Sequence, residues 1–71
     1  MERFLRYSLE RERPIRAVFL LNGAMLQKTI TVLALEKGTV TLCAKSFKTP
    51  LILPSQDILS CDYARGDHGD H

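Results

Sequence analysis

Several kinds of chemistry need residues that this 71-residue chain has in short supply. It carries two cysteines, Cys43 and Cys61, and they do not form a Cys-x-x-Cys pair. Isolated cysteines of this kind are better explained as reduced, small apolar side chains than as a disulfide. Both histidines, His68 and His71, lie in the polar C-terminal segment without the spacing of zinc ligands. We therefore predict no metal site and no cofactor.

Catalytic patterns are equally scarce. The folded part contains no Ser-His-Asp or Cys-His arrangement, and no glycine-rich loop precedes a helix where it could hold a phosphate. Asp57 and Asp62 are a turn acid and a strand-end acid, which are better explained as solvated side chains than as a catalytic pair. The sequence predicts that this protein is not an enzyme.

Long apolar runs are also missing. None approaches the roughly 18 to 20 apolar residues that a bilayer-spanning helix needs. The N-terminal residues alternate charged and apolar side chains, unlike the apolar core of a signal peptide. We expect a cytoplasmic protein without membrane contact.

The strongest secondary-structure pattern in the sequence is that of a β-hairpin over residues 15–35. Two apolar, β-branched-rich runs flank Asn22-Gly23, a dipeptide suited to the positive φ angles of a type I′ turn. This turn places Phe19 opposite Leu26 on a face that continues through Val32 and Ala34. It also places Lys28 on that face, opposite Ala17.

The rest of the chain predicts one helix and three more strands. Residues 2–13 show an amphipathic helical pattern that Pro14 ends. Three further strands, near residues 39–44, 51–53 and 58–63, follow after turn-length links, which favours antiparallel pairing. The predicted fold class is mainly β, an N-terminal α-helix followed by a five-stranded, strongly bent antiparallel small β-barrel. Residues 1–63 form its single domain, and residues 64–71 form a polar tail that frays.

This order of elements resembles the Sm-like small β-barrel family, whose members include Hfq-like RNA chaperones. Asn22, Gly23, Leu26, Gln27 and Ile30 match its hairpin pattern. The resemblance implies RNA binding and a ring-shaped oligomer. A more distant likeness to the WYL domain, a related barrel, covers residues 47–49 and 57–60.

The chain departs from the family pattern at two places. Lys28 stands where the family usually has glycine in the bend of the second strand. Either a bulge near Gln27 turns Lys28 outward, or its stem lies along apolar surface and its ammonium reaches the rim. The Lys-His pair that lines the RNA site of Hfq-like proteins is replaced by Pro-Ser-Gln-Asp at residues 54–57.

Positive charge predicts a nucleic-acid surface. Residues 28–48 contain four lysines against one glutamate. Two lysines beside an aromatic residue on one turn offer phosphate neutralisation and a stacking face. The candidate binding residues are Arg16, Lys28, Lys45, Phe47 and Lys48. The alternative is that Phe47 folds back as a lid on the core and that the lysines are merely solvated.

Apolar side chains on the short last strands predict self-association. An open barrel leaves strand edges that a protein must cover or blunt. The candidate interface residues are Leu51, Ile52, Leu53, Ile58, Leu59, Cys61 and Tyr63. The sequence thus predicts a regulatory protein that binds RNA or another nucleotide-bearing ligand on a basic rim. The alternative is an interaction module that self-associates or recruits a partner through its edge strands.

Overall fold

The computed structural model describes residues 1–69, and these form one α-helix and five β-strands. The elements are α1 (Glu2–Arg11), β1 (Ile15–Leu21), β2 (Ala24–Glu36), β3 (Thr39–Cys43), β4 (Leu51–Pro54) and β5 (Ile58–Tyr63), with a 3-10 helix at Ser55–Asp57. The strands pair antiparallel in a single sheet of order β4-β3-β2-β1-β5. The predicted helix and five antiparallel strands are confirmed, and β4 and β5 lie at the two edges.

The hairpin β1-β2 has the predicted turn and register. Asn22 and Gly23 have φ angles of 53° and 81°, as the two central positions of a type I′ turn require. The pairing runs without interruption from Leu21 opposite Ala24 to Ile15 opposite Ile30. Because side chains alternate across a strand, this register places one apolar set on the core side.

Beyond Ile30, β2 leaves β1 and pairs with β3. A register shift between Val32 and Ala34 makes Leu33 an extra residue, a β-bulge that leaves 45% of Leu33 exposed. The bulge reverses the alternation, so Leu35, opposite Val40, packs against the core. The prediction that Ala34 continues the apolar face is therefore wrong.

Helix α1 ends two residues earlier than predicted. Glu12 adopts a left-handed conformation with φ 55°, and its N–H is bonded to the Ser8 carbonyl. The N–H of Arg13 donates to the same carbonyl at 3.2 Å. Since the residue before a proline avoids helical angles, the chain must leave the helix before Pro14 and turn into β1.

Ser8 connects the helix to the bend of β2. Its side chain is fully buried. The hydroxyl donates to the Arg13 carbonyl at 2.6 Å and accepts from the Val32 N–H at 2.9 Å. The two backbone groups it satisfies belong to the helix exit and to the strand beside the bulge.

The core lies between α1 and one face of the sheet. Its members come from every strand and from the helix: Leu5, Ile15, Ala17, Phe19, Ile30, Val32, Val40, Leu42, Leu53 and Ile58. Partly buried side chains from the helix and the loop after β3 extend it. No helix within residues 1–69 combines the length and apolarity that a membrane span needs.

The segment after β5, which belongs to the predicted polar tail, makes hydrogen bonds within itself and to α1. Residues 64–69 turn back toward α1, with the Asp67 N–H donating to the Ala64 carbonyl at 2.9 Å. Tyr7 of the helix donates to the Asp67 carboxylate at 2.6 Å. Asp70 and His71, the last residues of the predicted tail, lie outside the described residues.

Candidate nucleic-acid interface

A cavity of about 750 Å³ lies beside the point where β2 changes partners. The first half of β2 pairs with β1 and the second half with β3, so the end of β3 and the following loop leave a gap there. We call this cavity the lysine pocket. The polar side chains that line it are Lys28, Thr29, Thr31, Cys43, Lys45 and Ser46.

Lys28 reaches the pocket from the core side of the sheet. The register of β1 and β2 is continuous through Ala17 opposite Lys28, so no bulge turns Lys28 outward. Its side chain is half-buried, and its ammonium lies 6.0 Å from the centroid of the Phe47 ring. The sequence predicts two possible placements of Lys28. The structure shows the second, in which the stem of the side chain lies along apolar surface and the ammonium reaches the rim near Phe47.

The loop after β3 supplies the second lysine. The Phe47 N–H donates to the Ala44 carbonyl at 3.0 Å, which closes a turn containing Lys45 and Ser46. Lys45 and Ser46 are exposed and line the pocket. Lys48 is also exposed, but it lies outside the lining of this cavity.

Phe47 folds back on the core. Its ring packs edge-on against the fully buried Phe19, with centroids 6.5 Å apart and planes at 70°. Phe47 is one of the partly buried residues packed against the core. The structure therefore shows the lid-like placement, with the Lys28 ammonium near the ring.

Arg16 does not line the lysine pocket, although it is paired in register with Thr29, which does. Its guanidinium donates to the Tyr63 carbonyl at 3.1 Å and approaches the Asp62 carboxylate at 3.5 Å. Both partners belong to β5, whose residue Asp62 is paired with Arg16 in register. The structure thus brings Lys28 and Lys45 into one cavity, with Phe47 near Lys28, and directs the Arg16 guanidinium toward β5.

The two pocket lysines have no acidic counterion in the described part of the chain. Within residues 1–69, the ion pairs join Arg6 to Glu2, Arg13 to Asp67 and Arg16 to Asp62. None of the lining residues carries a carboxylate. The pocket is therefore a concave site with net positive charge and several hydroxyl groups, a combination that suits a phosphate.

The hydroxyl and thiol groups of the pocket are the part that sequence reasoning missed. Thr29 and Thr31 lie on the outer face of β2, and Cys43 is paired with Thr31 in register. The alternating pattern of β2 indicates that the two threonines share a face. It does not indicate that the strand changes partners between them, which is what forms the cavity.

The predicted interface residues fall into two groups. Leu53 and Ile58 belong to the core of this chain, with 5% and 2% of each residue exposed, so their side chains do not face outward. Ile52 and Leu59 are exposed at 69% and 44%, on the two edge strands. Leu51 is half-buried and packs against the core.

The remaining two interface candidates, Cys61 and Tyr63, also pack inward. Cys61 is half-buried against the core, and this burial raises the pKa of its thiol. Tyr63 makes edge-to-face contacts with Phe4 and Tyr7, at centroid distances of 4.9 and 5.1 Å. Both cysteines are free thiols, as predicted.

A second polar cluster joins the helix to the C-terminal segment. We call it the C-terminal clasp, formed by Tyr7, Arg13, Tyr63, Asp67 and Gly69. Asp67 accepts from the Tyr7 hydroxyl at 2.6 Å and from the Gly69 N–H at 2.9 Å, and Arg13 lies 3.8 Å away. The hydrogen bond from Tyr7 is the main reason that the pKa of Asp67 is lowered. The same bond raises the pKa of Tyr7.

Residues 1–69 contain no group of three or more side chains placed to hold a metal ion. Comparisons of the chain with protein-family models, with curated proteins and with solved structures found no match. The resemblance to the Sm-like family therefore stays a prediction.

Proposed function

We propose that this protein is a small, non-enzymatic regulatory protein that binds RNA or another nucleotide-bearing ligand. The observation that carries the proposal is the shared cavity of Lys28 and Lys45, whose charges have no acidic partner within residues 1–69. Lysine ammonium groups beside hydroxyl groups give a phosphate both neutralisation and hydrogen bonds. The absence of a disulfide between Cys43 and Cys61 fits a cytoplasmic site of action.

The proposal includes an Sm-like barrel as its framework. The long strand β2 serves two partners, and register shifts interrupt the pairing of β1 with β5 and of β2 with β3. Bulges increase local twist, which is how a five-stranded sheet curls strongly. The likeness to Sm-like proteins adds RNA as the expected ligand, although fold alone does not fix function.

The test is a salt titration of RNA binding. Fluorescence anisotropy of short A-rich and U-rich RNAs is measured on the wild type, the double variant Lys28→Gln/Lys45→Gln, and Lys37→Gln. Lys37 is the matched control, because it is exposed in the β2-β3 turn outside the pocket. Binding should weaken steeply between about 50 and about 200 mM salt.

The double variant should lose about 100-fold in affinity, since each charge-assisted contact is worth about tenfold. Its salt slope should fall by about two, one for each lysine. Lys37→Gln should bind within about twofold of the wild type, because a solvated charge far from the ligand is screened. Absence of binding of both RNA and mononucleotides at low salt would refute the proposal, and an equal loss in Lys37→Gln would show that the lysine pocket is not the binding site.

A second candidate function is association through the edge strands. The two outer strands, β4 and β5, carry the exposed apolar residues Ile52 and Leu59. Unprotected strand edges with apolar side chains favour pairing with another chain, here a second copy. Light scattering at micromolar concentration should then give a multiple of 8.0 kDa. Ile52→Lys should return the mass toward that of one chain, whereas a wild-type mass of one chain would refute this candidate.

A further inference from the structure

The lysine pocket offers charge but no free aromatic surface. Phe47, the aromatic residue of the neighbouring loop, is not among the residues that line the pocket and packs against the core. Phe19 contacts its ring edge-on at 6.5 Å, and the Lys28 ammonium lies 6.0 Å from its centroid. Single-stranded nucleic acids are usually held by bases stacked on open aromatic faces. The lining therefore offers contacts for a phosphate and no aromatic side chain on which a base could stack.

The positive charge at the pocket comes from Lys28 and Lys45 in its lining, and the exposed Lys48 follows later in the same loop. The arginines that could extend it into a track are engaged: Arg16 with Asp62, and Arg13 with Asp67. A surface that follows a polynucleotide needs successive basic groups along a groove. Within residues 1–69, the lining holds two lysines at one concave point. Two lysines in one cavity suit the charged end of a ligand better than the interior of a polynucleotide.

The charge of a terminal phosphate matches this point. A phosphomonoester carries about −1.5 to −2 at neutral pH, whereas an internal phosphodiester carries −1. Lys28 and Lys45 supply two positive charges, and Thr29, Thr31 and Ser46 supply hydroxyl groups that can donate to the extra phosphate oxygen. The volume of about 750 Å³ lies within the range of small-ligand pockets.

We propose that the lysine pocket binds a terminal phosphate, carried by a mononucleotide or by a phosphorylated RNA end, and that it does not discriminate between bases. This inference rests on the proposed function, whose RNA or nucleotide ligand it specifies. The two sources share the phosphomonoester chemistry, and the experiment separates them.

The test compares RNAs of one sequence that carry a 5′-phosphate, a 3′-phosphate or hydroxyl groups at both ends, with the fluorophore attached within the chain. A phosphorylated end should bind about tenfold more tightly than the hydroxyl ends, the effect of one additional charge-assisted contact. Lys28→Gln/Lys45→Gln should abolish the difference, while Lys37→Gln should keep it. Changing the terminal base should alter affinity by less than about threefold, because no base contact is lost.

Competition identifies the source of the phosphate. Nucleoside 5′-monophosphates should displace the RNA and the parent nucleosides should not, which would identify the mononucleotide as a sufficient ligand. Tight binding of phosphorylated RNA without such displacement would identify the RNA end.

Two results overturn the inference, and they differ in what they leave standing. Equal binding of phosphorylated and hydroxyl-ended RNA, lost in Lys28→Gln/Lys45→Gln, would refute the terminal-phosphate inference and leave the proposed function intact. No binding of RNA or mononucleotide at low salt would refute both.

Discussion

The lysine pocket and the C-terminal clasp both contain charged side chains but use their charges differently. In the clasp, Asp67 accepts two hydrogen bonds and faces Arg13. In the pocket, Lys28 and Lys45 share a cavity without a carboxylate among its lining residues. Charges that are already compensated stabilise the fold, and those that are not can be neutralised by a ligand.

This comparison predicts that the two regions respond to different experiments. Substitutions at the clasp should change the free energy of unfolding and leave RNA affinity unaltered. Substitutions of the pocket lysines should do the opposite, because exposed or half-exposed charges contribute little to folding. Ser8, Gly69, Asp67 and Arg16 give four tests, which follow in order of decreasing effect.

The largest effect is expected from Ser8→Ala, which weakens the attachment of helix α1, the element that supplies Tyr7 to the clasp. The substitution leaves the Val32 N–H and the Arg13 carbonyl without their buried partner. An unsatisfied buried polar group costs about 1–3 kcal/mol, a large fraction of the stability of so short a chain. Urea unfolding followed by circular dichroism measures the loss.

Ser60→Ala is the matched control for Ser8→Ala. Ser60 is exposed on β5, so its loss should change stability by at most about 0.5 kcal/mol. Equal stabilities of the two variants would show that the Ser8 hydroxyl does not hold the helix. At temperatures where Ser8→Ala is folded, its RNA affinity should match that of the wild type.

A smaller loss is expected from Gly69→Ala. Gly69 has φ +77°, and an added Cβ would lie 2.6 Å from the Tyr63 hydroxyl oxygen. Alanine both strains the backbone and displaces the clasp from Tyr63, at a cost of about 1 kcal/mol. Gly66→Ala is the control, since Gly66 has a similar φ of +85° but nothing near its Cβ position. If the two variants lose equal stability, the contact with Tyr63 contributes nothing beyond the backbone strain.

The hairpin could be predicted from the sequence, the lysine pocket only in part, and the C-terminal clasp not at all, for a physical reason. The hairpin register follows from alternation and from Asn22-Gly23, both of which are local signals. Lys45 is visible as a basic turn, but the pocket depends on where β2 changes partners, at Ile30, which alternation does not encode. The clasp joins Tyr7 to Asp67, sixty positions apart, and nothing local to either residue indicates the other.

The third test is the pH dependence of the free energy of unfolding. The pKa of Asp67 is lowered in the folded protein, so its contribution to stability is complete above its ordinary value of 3.8 and is lost as pH falls through the folded value. The pKa of Tyr7 is raised, so its contribution is complete below 10.0 and is lost as pH rises through the folded value. The clasp should therefore be strongest between about pH 4 and about pH 10.

Asp67→Asn isolates this pH dependence. The midpoint of urea unfolding is measured from about pH 7 down to about pH 3 for both proteins. The wild type should lose more stability over that interval than the variant, because the variant has no carboxylate to protonate at that position. Parallel curves would show that Asp67 does not contribute to the acid dependence of folding.

The smallest effect is expected from Arg16→Gln, which tests the boundary between the two regions. Arg16 belongs to the predicted nucleic-acid surface, yet its guanidinium is bonded to the Tyr63 carbonyl and faces Asp62. Because this charge is compensated, RNA affinity should fall by no more than about threefold, against about 100-fold for the two pocket lysines. Arg16→Gln/Asp62→Asn keeps the net charge and should bind within about twofold of the wild type. The RNA affinity of this double variant is measured by anisotropy with the same RNA. A tenfold loss of affinity would show that the ligand extends from the lysine pocket across β1. Arg16 would then belong to the binding surface although its charge is compensated.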